Sequence, residues 1–165
     1  MMNNKTEKRL QWLSYAGLVF CACWLILICV RTYYMATGAT GVPHVHWEGF
    51  AQQPWAAVVF VAYVLVSLAL VALASAFFVN TVRGIKRGGE IFPKRNIVII
   101  NAAAVLSFFY IFLYGNISCA FVAPGDAAPA VAFDTDALVV LLALLIFAVM
   151  YRMAHDAAEE NQLTV

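Results

Sequence analysis

The sequence predicts an all-α integral membrane protein with four transmembrane helices and both termini cytoplasmic. Three observations carry this. Of the 165 residues, 64% are hydrophobic and only 12% charged, against roughly a quarter charged in soluble domains. The polar residues gather in short segments between long uncharged runs, whereas a soluble fold would spread them along each element to cover its surface. The basic residues also alternate from one connection to the next. Lys5, Lys8 and Arg9 precede the first run, Arg83, Lys86, Arg87, Lys94 and Arg95 separate the second from the third, and Arg152 follows the fourth. Residues 35–54 and 123–136 hold no lysine or arginine. Positively charged loops are retained on the cytoplasmic side, which fixes the expected orientation.

The expected helices are residues 12–34, 55–82, 94–122 and 136–154, in a single domain. The first run is longer than the apolar core of a signal peptide and has no small-residue cleavage site, so it is read as a retained helix. Arg31 is the one basic residue away from the cytoplasmic segments. It would cost roughly 2.5 to 3.5 kcal/mol at the bilayer centre, which places it at the interface beside Tyr33 and Tyr34.

Residues 35–54 have the glycine, proline and threonine content of a loop, and Trp47 and Trp55 mark the interface next to the second helix. Small residues at Ser67, Ala72, Ser75 and Ala76 permit close helix contact. Pro93 suits the first turn of the third helix, where a missing N–H costs nothing. Lys94 and Arg95 oppose the dipole at that helix start, a sign that topology overrides local preference. Asn101, Ser107, Tyr110, Tyr114 and Asn116 put polar atoms into the third helix, and bonds between helices are their expected role.

Asp134 or Asp136 can cap the fourth helix. The pairs Arg152 with Asp156 and His155 with Glu159 are four residues apart, where opposite charges on a helix meet. The fourth helix is therefore expected to continue into the acidic tail, residues 155–165, and to fray beyond Asn161.

Candidate chemistry is sparse. His44, His46 and Glu48 alternate and Asp126 lies in the other loop, but two histidines and a carboxylate are common in aqueous loops, and no metal site is expected. Cys21 and Cys23 point apart on a helix and Cys29 and Cys119 are remote, so the cysteines read as small apolar helix residues, with a Cys29–Cys119 disulfide open only in an oxidising compartment. Gly84 and Gly88-Gly89 have no preceding strand and no following Lys-Ser/Thr pair, which excludes a P-loop. No catalytic set, cofactor ligand or acidic residue within a run is found, so neither an enzyme nor a proton-coupled transporter is expected, and no cofactor. A water-filled path lined by Asn80, Asn101, Ser107, Tyr110 and Asn116 would mark the alternative, a small transporter, channel or lipid-interacting membrane protein.

What remains is the basic, glycine-broken connector, residues 83–96, and the acidic tail. The connector segment Gly88-Gly89-Glu90-Ile91-Phe92-Pro93-Lys94-Arg95-Asn96 and the tail segment Glu159-Glu160-Asn161-Gln162-Leu163-Thr164-Val165 resemble those of the bacterial family called domain of unknown function 2975, small four-helix membrane proteins. Pro93 stands where that family often has Thr or Ser, and Gln162 where Asp is common. The resemblance implies a multi-pass protein of the bacterial inner membrane. Because genes of that family often lie beside a small helix-turn-helix regulator, it also implies a non-enzymatic regulator that binds or sequesters such a transcription factor. Arg83, Lys86, Arg87, Phe92, Lys94, Arg95 and Asn96 of the connector, with Asp156, Glu159, Glu160 and Leu163 of the tail, are the expected partner-binding residues. The partners of this reading are the lipid bilayer, a cytoplasmic helix-turn-helix regulator and a further copy of the chain as a homo-oligomer, with no direct nucleic-acid binding.

Overall fold

A computed structural model of the protein describes residues 4–41, 43–88, 92–123, 125–127, 129–132 and 138–163. Four helices dominate it: α1 (Asn4–Thr37), α2 (Pro54–Gly88), α3 (Lys94–Asn116) and α4 (Leu138–Leu163). All four are long and apolar enough to cross a membrane. The all-helical, multi-pass reading of the sequence therefore stands. The expected caps Asp134 and Asp136 lie outside the described residues, as do Gly89, Glu90, Ile91, Thr164 and Val165.

The helix ends depart from expectation in an instructive way. α1 stops at Thr37 because Gly38 takes φ 67° and its N–H closes on the Tyr34 carbonyl at 3.0 Å, a left-handed end that glycine adopts without strain. α2 opens on Pro54, whose fixed φ suits a first helical position, and then runs without a break to Gly88. Arg83, Lys86 and Arg87, expected in a connector, thus belong to the last turns of α2. Nothing in the sequence before the Gly88-Gly89 pair breaks the helix, and cations are favoured at a helix C-terminus. Pro93 stands one position earlier than expected, as the extended residue before α3, with φ −60° and ψ 131°. α3 ends at Asn116, six residues short of the expected boundary, and tightens into a 3-10 turn over Ile117–Phe121. α4 continues through the acidic tail to Leu163.

At 1.5 Å per residue the 34 residues of α1 and the 35 of α2 are each about 51–53 Å long. A hydrocarbon core is about 30 Å thick, so both helices project beyond it or tilt.

The helices pack in chain order: α1 on α2, α2 on α3 and α3 on α4. Among the described residues, α1 and α4 make no comparable backbone contact with each other, so the bundle is open. Contacts between neighbours run antiparallel, as Tyr15 meets Lys86 and Asn96 meets Tyr151. The start of α1, the end of α2, the start of α3 and the end of α4 therefore share one end of the molecule, here the basic end. The outward faces carry large exposed apolar side chains such as Trp12, Phe20, Leu65, Phe109, Val139 and Phe147, which is the surface that lipid contact requires.

The buried apolar core lies toward the opposite, loop end. Met35, Val45, Ala56, Val59, Phe60, Tyr63, Leu113, Ile117 and Ala120 form one cluster. The first loop is stitched over it: Val45 N–H donates to the Met35 carbonyl at 2.8 Å, His46 N–H to that of Ala120 at 3.2 Å, and the Trp47 indole N–H to that of Ala36 at 3.0 Å. Asn116 secures the second loop. Its amide donates to the carbonyls of Phe112 and Ala132, both at 2.7 Å, and its Oδ1 accepts from Ala132 N–H at 3.0 Å.

α1 and α2 come close at Gly17. A Cβ built there would lie 2.5 Å from the ring of Phe78, so the aromatic ring occupies the space a side chain would take. Overpacking of this kind costs about 1–3 kcal/mol. Gly17→Leu is expected to lower the thermal midpoint of the detergent-solubilised protein and Gly17→Ala to lower it less; equal midpoints for wild type and Gly17→Leu would show that this contact does not hold α1 in place.

Candidate functional site

The basic end is organised by one side chain. Asn96 sits in the first turn of α3, completely buried. Its amide donates to Thr81 Oγ1 of α2 at 2.9 Å and to Tyr151 Oη of α4 at 3.1 Å, with the Phe77 carbonyl of α2 further off at 3.4 Å. An amide nitrogen carries two protons, so the two shorter contacts use them. The Phe77 carbonyl is served by the Thr81 hydroxyl, which donates to it at 2.9 Å. One asparagine thereby joins α2, α3 and α4. Its Oδ1 is buried with no partner among the described residues.

This overturns one expected assignment. Asn96 is expected in the partner-binding set as part of the connector segment that carries the family resemblance, yet its side chain points into the bundle and is fully buried. The reason is helical phase: Lys94 and Arg95 are exposed on the first turn of α3 while Asn96 turns inward.

Aromatic packing surrounds this amide. Tyr151 meets Phe77 at 5.7 Å and Phe92 at 5.4 Å between ring centroids, both edge-on, and Phe147 meets Phe77 at 6.3 Å. Such edge-to-face pairs contribute roughly 0.5–1.5 kcal/mol each beyond area burial. Phe92 is therefore a staple from the connector to α4, half-buried against Tyr151. Pro93 beside it is buried.

His155 completes the link. Its Nδ1 lies 2.7 Å from the Phe92 carbonyl. A carbonyl only accepts, so Nδ1 carries the proton. Its Nε2 lies 3.9 Å from Glu159 Oε2, the pairing that the four-residue spacing predicts. No ion pair joins Arg152 to Asp156 among the described residues; both side chains are exposed. The connector and the helical tail, distant in sequence, thus lie side by side at the basic end.

The remaining predicted residues fall into two groups. Arg83, Lys86, Arg87, Lys94 and Arg95 are exposed on α2 and α3, and Lys86 Nζ sits 5.7 Å over the Tyr15 ring of α1. Asp156, Glu159 and Glu160 are exposed on α4; three and four residues apart, they share one helix face. Leu163 closes α4, its side chain outside the described residues. Arg83, Arg87 and Arg95 line a cleft of about 210 Å3 together with Asn80, Gly84 and Pro93.

The candidate transport path does not assemble. Asn80 borders that cleft, Asn101 is exposed on the outside of α3, and Asn116 is committed to the second loop. At the loop end the His44 and His46 rings are 4.8 Å apart, and among the described residues no group of three or more His, Cys, Asp or Glu side chains comes together. All four cysteines are free, with Cys29 exposed and Cys119 buried.

One feature of the loop end escaped sequence reasoning. The Arg31 guanidinium lies over the rings of Tyr63 and Tyr114 at 5.8 and 5.4 Å, and Tyr110 stacks on both tyrosines at 5.6 and 6.0 Å. The arginine expected beside Tyr33 and Tyr34 is held instead by an aromatic ladder of α2 and α3. Tyr110 and Tyr114, four residues apart on α3, were the available signal. A cation over an aromatic face gains about 0.5–2 kcal/mol, depending on desolvation.

Comparison of the chain with protein-family models, with curated proteins and with solved structures finds no match.

Interhelical hydrogen bonds in membrane proteins average about 0.6 kcal/mol and reach about 1.7. Asn96 makes two short ones, so Asn96→Ala is expected to destabilise the protein by about 1–2 kcal/mol, read from thermal or denaturant unfolding in detergent. Asn101→Ala, on the exposed face of the same helix, is expected to change stability by less than about 0.5 kcal/mol. Tyr151→Phe combined with Asn96→Ala should cost less than the two single changes added, since they share a bond.

Proposed function

We propose that this protein is a non-enzymatic regulator of the bacterial inner membrane that holds a cytoplasmic protein, of the helix-turn-helix transcription factor class, at its basic end. The observation that carries the reading is the 2.7 Å contact from His155 to the Phe92 carbonyl. It sets the connector and the acidic extension of α4 next to each other, as one binding face needs. The charge distribution supports an orientation with this end, and both termini, in the cytoplasm. The likeness of the connector and tail to the domain of unknown function 2975 family supports the class of partner.

The electrostatics are suited to the role. Asp156, Glu159 and Glu160 present an acidic face on a rigid helix, and a DNA-binding module presents a basic one. Complementary charge speeds such encounters and selects against wrong partners, and a partner held on its DNA-binding face is unavailable to DNA. Asn96, Phe92 and Pro93 act beneath the face by fixing the connector, and the exposed charges make the contact.

The test is co-purification from native membranes followed by transcription of the captured regulator's target. Asp156→Asn, Glu159→Gln and Glu160→Gln together are expected to release the partner and change target transcription while leaving the thermal midpoint within about 2 °C of wild type, as surface substitutions do. Capture should also weaken as salt shortens the Debye length from about 30 Å at 0.01 M to about 8 Å at 0.15 M. Retention of a helix-turn-helix protein by the triple variant, or no such protein in the wild-type capture, overturns the proposal. Reporter fusions at both termini check the orientation independently; an extracytoplasmic signal from either would overturn it.

A further inference from the structure

We infer that the cleft between the end of α2 and the start of α3 is an anion site that binds the phosphate group of an anionic lipid headgroup or of a free phosphate. Its walls are built for that chemistry. Arg83 and Arg87 are one helical turn apart on α2, and Arg95 faces them from the first turn of α3. Like charges four residues apart on a helix repel by a few tenths of a kcal/mol, and a cation in a first helical turn opposes the helix dipole by roughly 0.3–1 kcal/mol. No acidic side chain pairs with any of the three among the described residues. Three arginines therefore line one space with no acidic partner among the described residues, and an anion there relieves both costs.

The backbone adds to the same potential. α3 begins after Pro93 with no side-chain cap, so the Lys94 and Arg95 N–H groups have no side-chain cap, while that of Asn96 donates to the Pro93 carbonyl at 2.9 Å, and Pro93 itself lines the cleft. Uncapped helix N-termini favour anions. Guanidinium groups match phosphate geometry better than lysine does, through paired N–H donors. Asn80 supplies a neutral amide on the α2 wall. The space, about 210 Å3, is many times the roughly 10–15 Å3 that one water requires, which leaves room for a phosphate with part of the group esterified to it. The cleft also lies where α2 leaves its apolar stretch, the level at which a helix crossing a bilayer would meet the headgroups. This inference rests on the residues of the cleft and is independent of any protein partner.

The experiment is native mass spectrometry of the full chain released from vesicles of phosphatidylethanolamine mixed with either phosphatidylglycerol or phosphatidylcholine, with inorganic phosphate titrated separately into the detergent-solubilised protein by calorimetry. The variants are Arg83→Gln/Arg87→Gln/Arg95→Gln and a control that removes the same charge from the same end, Lys8→Gln/Arg9→Gln/Lys94→Gln. A retained phosphatidylglycerol that falls at least tenfold in the arginine variant and less than twofold in the control supports the site with lipid as its source. Saturable binding of inorganic phosphate that the arginine variant alone abolishes supports it with free phosphate as its source. Equal loss in both variants, or neither ligand bound by wild type, overturns the inference. Circular dichroism of the two variants should superimpose on wild type; if the arginine variant alone is unfolded, single substitutions of Arg83, Arg87 and Arg95 replace it, and unchanged binding in all three overturns the inference equally.

Discussion

A carboxamide buried between membrane-spanning helices has no water to fall back on, and the arrangement of the basic end follows from that constraint. Removing an amide from water without a partner costs several kcal/mol. Asn96 can be buried only if α2 and α4 each bring a polar atom to it, and Thr81 and Tyr151 do so. That requirement fixes the rotation of three helices about their axes. An apolar residue at position 96 would pack in several registers, because lipid-facing and protein-facing apolar surfaces are energetically alike in a membrane. The polar contact thus selects one arrangement among many of similar packing energy, although its own contribution to stability is modest.

The same logic explains how an open bundle keeps its order. The helices pack in a row and α1 and α4 lie at its margins, so each needs its own fastening. For α1 these are the Gly17–Phe78 approach, Lys86 over Tyr15 and Arg31 over Tyr63 and Tyr114. For α4 they are Tyr151 with Asn96, Phe92 and Phe77, and His155 with the Phe92 carbonyl. Most are single directional contacts near the helix ends, while the middle of each helix relies on dispersion against its neighbour or lipid.

The existence of the four helices and the membrane class were legible in the sequence because hydrocarbon length and hydropathy are local properties of a run. Helix ends were less so. The change from apolar to charged at residue 83 marks the end of the hydrocarbon stretch, whereas the helix itself runs on through Gly84 to Gly88, because neither a charged residue nor a single glycine need stop an α-helix. The candidate site was legible in part: the basic residues gather at one end of the molecule, though on the helices α2 and α3 and not in a connector, and His155 lies near Glu159 as the four-residue spacing predicts. Asn96 entered the expected partner-binding set with the connector segment as a whole, while its inward direction depends on helical phase against α2 and α4. The bond from His155 to Phe92, 63 residues apart in sequence, and the tyrosine ladder under Arg31 depend on tertiary placement that no local pattern encodes.

The separation of charge at the basic end has a geometric basis. Asp156 and Glu160 lie 18 and 22 residues into α4, about 27 and 33 Å along its axis. With the first residues of α4 at one edge of a hydrocarbon core about 30 Å thick, this acidic face emerges at the other edge. The arginines of α2 and α3 come to the same level but line a cleft between two helices, where phosphate lies within reach. Carboxylates are repelled by an anionic headgroup layer and guanidiniums are drawn to it, so the two sets are sorted by the membrane surface itself. A membrane surface at this level would draw the cations toward lipid and leave the acids facing the aqueous phase. The contact from His155 to the Phe92 carbonyl ties α4 to the connector beside that cleft, so the acidic residues and the arginines are held at one end of the molecule on separate helices.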